Sequence, residues 1–197
     1  MADVGNVNAP MGFQPVCHAN GNRYVGKGNR YYKGTAANTR ICKGDRVVIT
    51  TCTDPNGFPE IIKATSAASA CTGVVVGFEV TPSNLHKLCY EATDTGYLMV
   101  EDDPSVLYRI QEDSVGGALT VAAVDDYIDP ITNLDGDAQT GLSKLQLDSS
   151  TIGSGSSCRI ARLDNGSQNA VGDYAKWLVQ MNLSTEVNDS ASNLTDI

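Results

Sequence analysis

Short apolar or β-branched runs, each cut off by Gly, Pro, Asn or Asp, recur at intervals near ten residues and constrain this chain most. DRVVITTCT (45–53) ends in DPNGFP, where Pro55 and the Asn56-Gly57 pair specify a turn. EIIKAT (60–65) reads as the returning strand. GVVVGFEV (73–80) is an apolar run bounded by glycine and ended by Pro82, consistent with a buried strand. YLMV and SVLYRI follow on either side of an acidic turn. GGALTVAAV fits strand or helix by pattern, and its glycines, Val and Thr favour strand. LSKLQLD puts Leu142, Leu145 and Leu147 nearly on one face. CRIARL and AKWLVQMNL close the series, the latter with Trp177 and Val179 on one face and Leu178 and Gln180 on the other. SNLHKLCYEA (83–92) is the one modest helix candidate, with Ser83 or Asn84 as its cap and loop-plus-strand as the alternative. About eight to ten short strands without βαβ alternation predict an all-β sandwich or barrel.

At 197 residues the chain can bury a substantial core, and one domain is expected. Residues 1–20 contain Pro10 and Pro15 and little apolar periodicity, so they read as an extended N-terminal arm. The core is expected over 21–184, and the polar stretch 185–197 reads as a tail. A formal net charge of −9 argues against nucleic-acid binding, which draws its affinity from Lys and Arg on phosphates. The N-terminus has neither the basic nor the apolar region of a signal peptide, and no run is long enough to span a membrane. A cytoplasmic product is therefore expected, with all six cysteines (Cys17, Cys42, Cys52, Cys71, Cys89, Cys158) as free thiols.

Catalytic and metal chemistry find little footing. Glu101, Asp102 and Asp103 stand side by side before Pro104. Adjacent strand residues point to opposite faces, so the three read as a solvated turn, not a converging carboxylate site. Asp135 and Asp137 flank Gly136 in a partial calcium-loop pattern that lacks its terminal acid. The two histidines, His18 and His86, sit in no recognisable catalytic motif, and Cys17 beside His18 is adjacency alone. GKGNR lacks the phosphate-loop spacing. The stretch GNRYVGKGNRYYKG reads as a local basic face for an acidic protein partner. No cofactor is expected.

Three segments in order carry a resemblance: GFQPV near the start; GVVVGFEV with YLMVEDDPSVLYRIQED; and TGLSKLQLDSSTIG with CRIARLDNGSQNAVGDYAKWLVQMN. Together they resemble the head decoration, or cement, proteins of tailed bacteriophages across most of residues 11–182. The resemblance implies a β-sandwich or jelly-roll-like core that binds the capsid exterior as a small homo-oligomer, a dimer or trimer. It implies the major capsid protein as partner, assembly onto the virion after synthesis in the host cytoplasm, and no catalytic residues. Met11, Phe13 and Pro15 are the expected capsid or subunit contacts, being apolar residues in a segment too irregular to bury them internally. The alternatives are another virion structural protein, of tail or capsid, and a carbohydrate-binding β-sandwich or small hydrolase on such a scaffold, for which Tyr24, Tyr31 and Tyr32 would supply an aromatic platform.

Overall fold

Ten short strands form, most of them where the apolar runs predict them. The computed structural model describes residues 5–26, 28–35, 37, 39–67, 71–82, 84–132 and 134–182. The strands are β1 (Gln14–His18), β2 (Asn29–Lys33), β3 (Arg46–Ile49), β4 (Ile61–Lys63), β5 (Gly73–Phe78), β6 (Gly96–Glu101), β7 (Val106–Gln111), β8 (Tyr127–Ile128), β9 (Cys158–Leu163) and β10 (Lys176–Met181). They make two five-stranded antiparallel sheets, ordered β1-β7-β10-β9-β8 and β2-β6-β5-β3-β4. The architecture is an all-β sandwich and not a closed barrel. The DPNGFP turn joins β3 to β4 as expected, with Gly57 at φ 77° and the Asp54 carboxylate accepting from Phe58 N at 2.9 Å.

Two apolar cores follow from strand alternation. One lies between the sheets: Trp177, Val179, Tyr108, Ile110 and Ile160 from the first meet Val74 of the second, with Cys71 and Ala64 beside it. The other lies within the curl of the second sheet, where Tyr31, Val47, Val75, Leu98 and Val100 pack with Ile41 and Tyr90. A parallel bridge from Tyr32 to Glu60, with Tyr32 N donating to Pro59 O at 2.9 Å, draws that sheet's two edges together. β5 serves both cores because neighbouring residues Val74 and Val75 point to opposite faces.

The N-terminal reading needs correction. Residues 14–18 are strand β1, paired antiparallel with β7 from Gln14↔Arg109 to His18↔Val106. Phe13 is 1% exposed and packs edge-on against Tyr108, with ring centroids 6.2 Å apart. A tight approach seats it: Phe13 N donates to Gly44 O at 3.0 Å. A Cβ on Gly12, whose φ is +65°, would come 2.5 Å from Ser143 Cβ. Only 5–13 lack regular structure, and even they are pinned. Asn6 Nδ2 donates to Ala170 O and Asp173 O, and the Gln111 side chain joins Val7 O and Ala9 N. Residues 1–4 and the tail 185–197 lie outside the described residues.

Other expectations also shift. The helix candidate is a run of turns over 84–86 followed by an antiparallel bridge from Tyr90 to Ile41. That register sets Cys42 opposite Cys89, and the two form a disulfide with Cα atoms 4.6 Å apart. Four cysteines are therefore free: Cys17, Cys52, Cys71 and Cys158. Wide spacing in sequence concealed a pairing that the bridge register creates. GGALTVAAV is not a strand but a loop with one 3-10 turn, Val121–Ala123, capped by the Thr120 hydroxyl. LSKLQLD makes only isolated bridges, although Leu145 and Leu147 do enter the inter-sheet core.

Candidate functional site

The acidic stretch is a turn, but an unevenly solvated one. Glu101 ends β6 at 6% exposure and accepts the Tyr24 hydroxyl at 2.6 Å. Burial, with this carboxylate adding to it, pushes the Tyr24 phenol well above its usual range. Asp102 takes Asn29 Nδ2 at 2.9 Å and the Tyr31 hydroxyl at 2.8 Å. Asp103 Oδ1 accepts from Ser105 N at 2.7 Å, and the Ser105 hydroxyl and amide hold this carboxyl below the ordinary range. Each acid thus has its own partners, and the three do not converge. The expectation that all three are plain surface charges fails at Glu101.

β1 and this turn bring His18, Ser105 and Asp103 together, a trio that could pass for a hydrolytic relay. Its geometry does not support one. Ser105 Oγ lies 3.0 Å and Asp103 Oδ2 3.5 Å from the same ring nitrogen, Nδ1 of His18. A relay needs the nucleophile on one ring nitrogen and the orienting acid on the other. Cys17 points to the opposite face of β1. At 135–137, Asp137 is used by its own turn, accepting from Gln139 N at 2.8 Å. Among the described residues no group of three or more His, Cys, Asp or Glu side chains is arranged to hold a metal ion.

Charge inside the fold is used structurally. Asp45 and Lys63 are buried, with Lys63 Nζ 3.2 Å from Asp45 Oδ2. Ser143 Oγ donates to Asp45 Oδ1 at 2.5 Å, Cys42 N to Oδ2 at 2.8 Å, and Lys63 Nζ to Leu134 O at 2.8 Å. Burial raises the Asp45 carboxyl, partly offset by the Lys63 charge. Lys33, expected on a basic face, is fully buried and donates to Asp94 O at 2.7 Å and Ala92 O at 3.2 Å. Arg30 is paired with Glu79. Among the described residues of the basic stretch, Lys33 and Arg30 are thus withdrawn from any continuous positive face, and Lys27 lies outside the described residues.

Of the three expected contact residues, Phe13 is withdrawn into the core, while Met11 and Pro15 stay half-buried at the surface. Pro15 sits at a register shift in β1 and borders an open cleft of about 600 Å3. Tyr24, Lys43, Val76 and Met99 line it, beside a second register shift in β5 between Val75 and Gly77. Bulges re-aim side chains and bend strands. Here they stand on both sides of one opening. The lining of the cleft is more apolar than polar.

A second surface feature escaped the sequence reading. On the outer face of the second sheet, Arg30 and Tyr32 of β2 point away from the core, as does Tyr97 of β6. Tyr32 and Tyr97 are cross-strand partners with ring centroids 5.5 Å apart. The Arg30 guanidinium lies 3.8 Å from the Tyr97 centroid and 4.7 Å from that of Phe58, while Glu79 Oε2 sits 2.8 Å from its Nε. The expected platform of Tyr24, Tyr31 and Tyr32 is split: Tyr31 faces the inner core and Tyr24 the Glu101 turn. Strict alternation along RYYK was the signal that separates Tyr31 from Tyr32. Compared with known proteins, the chain matches no family model, no curated protein and no solved structure.

Proposed function

We propose that this chain is a non-enzymatic structural protein of a tailed-phage virion, a decoration or cement protein that binds the capsid exterior as a small homo-oligomer. One observation carries the reading. The segments whose order resembles such proteins include β5, β6, β7, β9 and β10, inner strands of the two sheets, together with β1 at the edge of the first. GFQPV supplies Phe13 and the start of β1, GVVVGFEV is β5, YLMVEDDPSVLYRIQED spans β6 and β7, and the last segment contains β9 and β10. The resemblance thus takes in most of the inner strands along with the loops that join them.

The contact surface in this reading is the cleft beside Pro15, with Val76 and Met99 as its apolar wall and Gln14, whose amide reaches Met11 Sδ at 3.6 Å, linking it to Met11. Phe13 acts behind it, fixing β1 from within. Large apolar side chains contribute about 1.5–3 kcal/mol each when fully buried, and a capsid repeats any such contact at every copy. The test is cosedimentation of the purified protein with capsids lacking it, with light scattering for the oligomer. Saturable binding that Pro15→Glu and Met99→Glu abolish, at unchanged melting temperature, is the expected result. Failure to cosediment at any protein excess refutes the capsid reading.

A further inference from the structure

Next to the Arg30–Tyr97 cluster the surface falls into an open groove of about 400 Å3, bordered by Glu79, Asn84, Lys87, Tyr90, Asp94 and Tyr97. That volume lies within the range of small-ligand sites. Its polar groups are fixed in advance. Asn84 Oδ1 accepts from Thr81 N at 2.6 Å, and Asn84 Nδ2 donates to Glu79 O at 3.0 Å and lies 3.3 Å from the Tyr90 hydroxyl. That hydroxyl is 3.1 Å from Tyr97 O. A Cβ on Gly96 would come 2.6 Å from the same hydroxyl, so glycine is what gives the phenol its place in the groove.

Both carboxylates are matched in charge. Asp94 Oδ1 meets Lys87 Nζ at 2.5 Å, and Glu79 meets Arg30 at 2.8 Å. An anionic ligand would face two carboxylates, and a cationic one would face Lys87 and Arg30. A purely apolar ligand would strand the donors and acceptors at the cost of their hydration. An uncharged ligand carrying many hydroxyl groups meets none of these penalties. Along one side, the half-exposed ring of Tyr97 offers apolar surface, with Tyr32 and Phe58 packed around it at 5.5 and 5.6 Å between ring centroids.

We infer that this groove binds a neutral saccharide, its hydroxyls against the Asn84, Lys87 and Asp94 network and an apolar ring face against the Tyr97 ring. The site does not depend on the capsid reading, because it shares no lining residue with the Pro15 cleft. Burial raises the Asp94 carboxyl, but hydrogen bonds from Lys87 and Glu91 outweigh this and leave it below the ordinary range.

The test applies the full chain to a printed array of neutral and acidic oligosaccharides, then titrates a retained neutral oligosaccharide by calorimetry. Amide chemical-shift mapping with the same sugar runs in parallel on the unsubstituted protein, so the site is read even if a variant misfolds. Expected are retention of neutral glycans, shifts centred on residues 79–97, and a loss of about tenfold or more in Asn84→Ala and Tyr97→Ala. Retention of acidic glycans alone, no retention of any neutral glycan, or shifts mapping elsewhere overturns the inference. So does undiminished affinity in both folded variants. None of these outcomes depends on whether the protein cosediments with capsids.

Discussion

Replacing Phe13 by Ala tests whether the N-terminal segment belongs to the core. The ring is 1% exposed, packs edge to face on Tyr108, and belongs to the cluster that holds Trp177 and Ile110. Phe→Ala at such a site costs about 3–5 kcal/mol, the lost transfer energy plus the cavity left behind. The aromatic pair is part of that figure, not an addition to it. Trp177 is the single tryptophan and is fully buried in the same cluster, so its fluorescence reports the affected core directly. With a urea slope of about 2 kcal/mol per molar, the unfolding midpoint should fall by about 1.5–2.5 M. Deleting residues 1–16 should do at least as much damage, because it also removes the start of β1 and bares the edge of β7. If Phe13→Ala instead shifts the midpoint by less than about 0.5 M, corresponding to about 1 kcal/mol, Phe13 is not a core residue and the segment is a free arm.

Three further outcomes follow from buried groups. Thiol labelling of the denatured chain without reductant should count four cysteines and with reductant six; in the native chain Cys52, which is exposed, should react fast, and Cys158, whose thiol burial pushes up to about 12, should react slowly. Glu112 is buried, accepts from Leu119 N at 2.8 Å, and burial lifts its carboxyl from 4.5 to about 7. A raised folded value means the folded state holds the proton more tightly. Its stabilising effect is therefore full below about pH 4.5 and lost as pH rises through about 7, and Glu112→Gln should remove that fall from melting curves taken across the window. Lys63→Met should cost about 3–5 kcal/mol by leaving the Asp45 carboxylate buried without its partner, and adding Asp45→Asn should recover much of it; a double variant no better than the single would rule out the ion pair as the cause.

Strands were legible wherever local pattern and burial agree. DRVVIT, GVVVGF, CRIARL and AKWLVQM each carry enough apolar or β-branched residues, between turn signals, to specify extended chain by themselves. What stayed hidden depends on partners distant in sequence. The segment around Phe13 looks irregular because its regularity lies in β7 and in Gly44, about 95 and 31 residues away. Cys42 and Cys89, widely separated in sequence, are paired only by the Ile41–Tyr90 bridge. GGALTVAAV has strand composition, but Thr120 caps a 3-10 turn there, and the local hydroxyl-to-amide bond competes with a ladder. The outer aromatic cluster needed the β2–β6 register, since Tyr97 and Phe58 lie far from the tyrosine-rich stretch that drew attention.

Buried polar groups explain why such interchangeable apolar runs settle into one arrangement. Asp45 gathers Lys63 of β4, Ser143 of the long connection before β9, and the Cys42 amide, three segments that apolar packing alone would not tell apart. Lys33 binds the carbonyls of residues 92 and 94 to the end of β2, and Glu60 accepts from the Thr53 amide and hydroxyl beside the β3–β4 turn. Each of these groups costs desolvation, and each is satisfied only if a particular loop crosses at a particular place. Lys33 and Glu60 also lie where the two edges of the curled sheet approach, directly beneath the outward-facing Tyr32 and Tyr97. Fixing that curl from inside sets the spacing of the rings and of Arg30 outside. The polar interior and the proposed saccharide groove are thus two faces of one constraint. Loosening Lys33 should disturb the Tyr32–Tyr97 pair before it disturbs the Trp177 core, because the former shares its strand and the latter lies across the sandwich.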